Sequence, residues 1–88
     1  MKIKNGFILR TSDDINLIVA TGDAAKAFNG IITLNDTAVF MWKQLEKGAD
    51  VAALTQALTA EYNVDAERAE NDAKAFVSKL VAAGVVDE

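Results

Sequence analysis

The chain has 88 residues and a net charge of −4, with 51% apolar and 25% charged side chains. One modest core is all that length supports. The absence of Cys and His removes disulfides, thiolate chemistry and the commonest general base and metal ligand. The five glycines are scattered, so no glycine-rich phosphate loop exists. A carboxylate-only active site ranks last among the readings, because so short a chain has little room to enclose a cleft. The acidic balance speaks against nucleic acid, whose phosphates need clustered Lys and Arg. No apolar run approaches the roughly 20 residues that span a bilayer. The opening "MKIKNGFILR" lacks the apolar core of a signal peptide. No membrane association and a cytoplasmic location are therefore expected.

In chain order, "GFILRT" alternates, with Phe7, Leu9 and Thr11 on one side and Ile8 and Arg10 on the other. "INLIVA" alternates again, placing Ile15, Leu17 and Val19 on one face. The polar stretch Thr11 to Asp14 between them reads as a turn, so the pair predicts a β-hairpin. "TGDAAKAFNG" carries turn signals at both ends around an Ala-rich middle with room for one helical turn. "GIITL", Gly30 to Leu34, gives a third strand of usual length. Asn35 then caps a first long helix, and Asp36 sits where the helix dipole favours negative charge. Ala38, Met41, Trp42 and Leu45 form its apolar face. Gly48 ends it in the left-handed conformation. Asp50 caps a second helix with the stripe Val51, Leu54, Leu58 and Tyr62. Asp65 caps a third, with the stripe Ala66, Ala69, Ala73, Phe76, Val77 and Leu80, ended by Gly84. The valines of the final "VVDE" return to the core.

The predicted order is β-β-β-α-α-α in a single domain over 1–88. It is an α+β, winged-helix-like fold with a three-stranded antiparallel sheet followed by three helices. Such a fold invites a DNA-binding reading. The third helix opposes it, carrying Asp65, Glu67, Glu70 and Asp72 against Arg68, Lys74 and Lys79. A small acidic winged-helix regulator or protein-interaction module remains the alternative function.

The third strand points elsewhere. An exposed strand edge presents unpaired N–H and C=O groups, and proteins use such edges to capture extended peptides. "GIITL" has no charged or Pro residue to blunt its edge, and Gly30 lets another backbone approach. Ile31, Ile32 and Leu34 are each open to a core role or a peptide contact, since one face of the strand must be buried. One of two registers, Ile31 with Thr33 or Ile32 with Leu34, donates outward. Asp72, Phe76 and Lys79 share a flank of the third helix, which reads either as a groove wall or as a solvated surface. Trp42 reads as core. Phe40 lies opposite Ala38 and is open to partner contact or to packing beneath the loop around Phe28. An uncapped edge also invites pairing with itself, so a homodimer stays open.

"FNGIITLNDTAVFMW", Phe28 to Trp42, resembles the signature of the pyrroloquinoline quinone synthesis protein D family: Asn-Gly, a short strand, Leu-Asn-x-Thr, a small residue, then Trp. "LEKG", "YNVD", the acidic helix with Asp72 and Phe76, and "LVAAGVV" follow the same rhythm over nearly the whole chain. Ala38 stands where the family often has Gly. The resemblance implies a recognition element for ribosomally made, post-translationally modified peptides, without catalytic activity or a cofactor of its own. It implies a precursor leader peptide as ligand and a modifying enzyme, often a radical S-adenosylmethionine enzyme, as partner. The leader would add to the third strand and lie beside the third helix. The candidate peptide-binding residues are Gly30, Ile31, Ile32, Thr33, Leu34, Asp72, Phe76 and Lys79.

Overall fold

The structure is a computed structural model that describes residues 2–22, 24–27 and 31–87. Its elements are β1 (Lys2–Ile3), β2 (Phe7–Ser12), β3 (Ile15–Ala20), α1 (Ala24–Ala27), β4 (Ile32–Leu34), α2 (Asp36–Glu46), α3 (Val51–Glu61), α4 (Ala66–Ala82) and β5 (Val86–Asp87). The expected three-stranded antiparallel sheet is present in the order β2-β3-β4, and the three long helices follow it. A small second sheet, β1 with β5, joins the two ends of the chain. Val85 and Val86 are buried there, as the sequence suggested for its last valines.

The hairpin turn is tighter than the sequence reading. β2 and β3 pair to their very ends, Ser12 opposite Ile15, around Asp13 and Asp14 alone. Both Asp residues have positive φ, 50° and 64°. That is the signature of the two-residue type I′ turn, whose twist matches the strands. Asp tolerates this region because its short polar side chain can bond the local backbone.

All three N-caps form as the sequence indicates. Asn35 Oδ1 accepts from the Ala38 N–H at 2.8 Å, Asp50 Oδ1 from Ala53 at 2.8 Å and Asp65 Oδ1 from Arg68 at 2.7 Å. Gly48 (φ 92°) and Gly84 (φ 79°) hold the left-handed conformations that end α2 and α4. The core joins one sheet face to the helices: Ile18, Ile32 and Leu34 meet Met41, Trp42, Leu45, Leu54, Leu58, Ala69, Ala73, Phe76, Val77 and Leu80. Trp42 is fully buried, and its Nε1–H finds no acceptor among the described residues.

Two readings change. Ala66, placed on the apolar stripe of the last helix, is exposed, because it occupies the first turn before the helix reaches the core. Phe40 does not project freely to solvent. It is half-buried and meets the Tyr62 ring edge-on, with centroids 5.6 Å apart. The alternative of packing beneath the loop around Phe28 lies outside the described residues.

Candidate strand edge and groove

β4 lies at the edge of its sheet, paired on one side to β3 through Asn16–Leu34, Leu17–Thr33 and Ile18–Ile32. Its other side can be assigned residue by residue. Opposed residues in antiparallel strands alternate between hydrogen-bonded and non-bonded pairs. A two-residue hairpin makes its flanking pair, Ser12–Ile15, a bonded one. Counting on in twos, Arg10–Leu17 and Ile8–Val19 are bonded. The next such pair is Gly6–Thr21, where the Thr21 N–H donates to the Gly6 carbonyl at 2.6 Å. Asn16 and Ile18 must then turn their backbone groups the other way, towards Leu34 and Ile32. Ile32 and Leu34 therefore spend their N–H and C=O groups on β3. Those of Thr33, and of Ile31 two residues earlier, point out from the sheet.

Side-chain burial follows the same alternation. Ile32 and Leu34 are 7% and 4% exposed, whereas Ile31 is 63% exposed and Thr33 is also at the surface. Asn35 ends the strand at once by capping α2. The edge is thus short and bounded by a helix start.

Beside the edge runs an open groove of about 440 Å³ between β4, the first turns of α2 and one flank of α4. Thr33, Leu34 and Asn35 form one wall, Arg68, Asp72, Ala75, Phe76 and Lys79 the other, and Ala38 and Met41 lie between them. Arg68 and Asp72, both exposed, approach to 3.9 Å across one turn of α4, a contact worth little in solvent. At that end the groove meets a smaller depression of about 120 Å³ bounded by Thr37, Leu58, Tyr62 and Val64. The groove is therefore apolar along its floor and charged at its ends, Arg68 and Asp72 at one and Lys79 at the other.

Of the eight candidate residues, five line this groove: Thr33, Leu34, Asp72, Phe76 and Lys79. Ile31 stands at the open edge just before β4. Ile32 faces the core, with its backbone bonded to β3. Gly30 lies outside the described residues. The sequence reading had not singled out Thr37, Ala38, Met41, Arg68 or Ala75 as site residues. Arg68, Asp72, Ala75, Phe76 and Lys79 follow the i, i+4, i+7, i+8, i+11 pattern of one helical face, a signal that was available. Ala38 had been assigned to the core stripe, and its small size is what leaves the groove open there.

A cleft of about 490 Å³ at the far end of α2, between Lys2–Phe7 and Leu45–Gly48, lies away from this edge. Among the described residues no cluster of acidic side chains is arranged to hold a metal ion, and no helix is long and apolar enough to cross a membrane.

Comparison with known proteins picks out the same fold. The family described as Coenzyme PQQ synthesis protein D matches residues 14–86. No curated protein sequence matches the chain. Two solved structures are similar over 99% of the chain. One, "TbiB1 in Complex with the TbiA(beta) Leader Peptide", has a TM-score of 0.79 and 23% identity, with 95% of that chain covered. The other, "Lasso peptide synthetase B1 complexed with the leader peptide", has a TM-score of 0.78 and 25% identity, with 96% covered.

Proposed function

The chain belongs to the coenzyme PQQ synthesis protein D family, and on that premise we propose that it is a non-catalytic adaptor for a ribosomally made precursor peptide. It binds the leader segment as an added strand on β4 and presents the rest of the peptide to a modifying enzyme of the radical S-adenosylmethionine class. It works in the cytoplasm, where such precursors are made. The observation that carries this reading is the open edge at Ile31 and Thr33 lying beside the α4 groove. The structure of lasso peptide synthetase B1, itself complexed with a leader peptide, supports it through its similarity in fold.

Energetics show why edge and groove are both needed. Ile31 and Thr33 offer one N–H and one C=O each, so a guest gains up to four main-chain bonds. At about 1 kcal/mol net apiece, these give about 4 kcal/mol. Micromolar affinity needs about 8 kcal/mol, and a disordered guest also loses conformational entropy as it orders. The remainder must come from apolar burial. At about 25 cal/mol per Å², the shortfall of about 4 kcal/mol alone corresponds to about 160 Å², and offsetting the ordering entropy requires more. A strand beside β4 turns every second side chain towards Leu34, Ala38, Met41 and Phe76. The same groove explains specificity, because main-chain bonds alone do not discriminate between sequences.

The reading expects a short precursor gene beside this one, and the test is a calorimetric titration with that peptide. The leader half is expected to bind with micromolar or tighter affinity, and the core half is not. Binding that survives deletion of the leader would overturn the assignment. Mass spectrometry of the precursor after incubation with this protein alone is expected to show an unchanged mass. A covalent change without added enzyme would contradict the non-catalytic role.

A further inference from the structure

The large hydrophobic side chains left exposed among the described residues are Ile8 (39%), Ile15 (49%) and Ile31 (63%). All three belong to the same side of the sheet. Ile8 pairs with Val19, Ser12 with Ile15, Arg10 with Leu17, and Leu17 with Thr33, so these residues share the face opposite Ile18, Ile32 and Leu34. The long helices pack on the other face, and the short α1 also contacts β3. Leu17 and Val19 are only half-buried. Antiparallel sheets usually set polar residues on an uncovered face. Here the face is apolar, and Arg10 is the one charge among its strand residues.

We infer that this outer face, joined by the outward half of the bound leader, is the surface on which the modifying enzyme docks. The inference rests on the leader reading above. Continuity is the first argument. A guest strand on the free edge of β4 widens the sheet from three strands to four. Its side chains alternate: half enter the groove, and half emerge on the outer face beside Ile31 and Thr33. An enzyme seated on this face touches adaptor and leader together and so prefers the loaded adaptor to the empty one.

Area is the second argument. Two six-residue strands about 20 Å long and the three-residue β4, about 10 Å, lie about 4.8 Å apart and present a face of about 240 Å². A stable protein pair needs about 800 Å² from each partner. The face is therefore too small to hold two copies of this chain together, even when a fourth strand along β4 raises it to about 300 Å². It suits a weak contact strengthened by a second tether. The precursor supplies that tether, since its leader is held here while its core half occupies the enzyme, which raises the effective concentration of one partner near the other. The enzyme patch that fits is apolar, with a carboxylate facing Arg10.

The experiment uses the full chain with the precursor and the modifying enzyme that the leader reading expects in neighbouring genes. Wild-type protein is first titrated with the leader; no binding there would remove the leader reading, and this inference with it. The double variant Ile8→Lys/Ile15→Lys and the single variant Arg10→Glu, all at exposed positions, are then compared by thermal melt, leader titration and precursor conversion. The expected result is a wild-type fold, leader affinity within about twofold, and at least about a tenfold rise in the adaptor concentration that gives half-maximal conversion. Unchanged conversion in both variants would overturn the inference. Loss of leader affinity would assign the face to the leader site instead. A wild-type dimer in sedimentation that the double variant abolishes would make it a self-interface.

Discussion

Proline substitution along β4 should separate two classes of position. The Thr33 N–H points away from β3, and its side chain is exposed. Thr33→Pro therefore removes no ladder bond, and an edge strand accommodates the ring on its solvent side. The melting temperature should change by the equivalent of less than about 1 kcal/mol. Leader affinity should fall at least fivefold, the equivalent of about 1 kcal/mol for one lost bond. Ile32→Pro is different. It deletes a bond to Ile18, about 1 kcal/mol, and truncates a side chain only 7% exposed, about 2 kcal/mol. The sum of about 3 kcal/mol should lower the midpoint by about 12–24 °C in a domain of this size. Melts followed by the fluorescence of buried Trp42, paired with leader titration, read both quantities. Thr33→Ala, which keeps the N–H, should bind nearly as wild type and so separates backbone from side chain. The reasoning is refuted if Thr33→Pro folds and binds the leader normally, or if Ile32→Pro is as stable as Thr33→Pro.

Two further outcomes follow from the same geometry. Ala75 is exposed and lines the groove, so Ala75→Trp should leave the melt unchanged while occluding the leader, with at least about a tenfold loss of affinity by calorimetry. Asn35→Ala removes the 2.8 Å bond to the Ala38 N–H. It should cost about 1 kcal/mol and lower the midpoint by about 4–8 °C by circular dichroism.

The helices were legible in the sequence because each announces itself twice, by a cap and by a stripe. Asn35, Asp50 and Asp65 sit where side-chain oxygens meet orphan N–H groups, and Gly48 and Gly84 stop the helices that follow. The third strand and its neighbouring helix flank were legible as candidates. Which strand register faces outward was not. That parity depends on whether the hairpin turns over four residues or two, and nothing in "TSDD" declares that Asp13 and Asp14 alone carry the turn. The inward face of β3 was equally hidden, since "INLIVA" sets Ile15, Leu17 and Val19 on one side and Asn16, Ile18 and Ala20 on the other, and only pairing shows that Ile18, rather than the more apolar side, enters the core. β1 and β5 have two residues each, too few for any periodicity to register. The groove depends on tertiary packing: Ala38, Ala75 and Arg68 look ordinary in sequence and become a site when α2 and α4 meet β4.

Residue-resolved amide hydrogen exchange with and without saturating leader tests the central claim most directly. In the free protein the Thr33 amide should exchange rapidly, whereas Ile32 and Leu34, already bonded to β3, should exchange slowly. On leader binding Thr33 should gain at least about tenfold protection, with Ile31 following and Ile32 and Leu34 little changed. Saturation that leaves Thr33 exchanging as before, or that instead protects Leu9 on the opposite edge of the sheet, would contradict strand addition at β4.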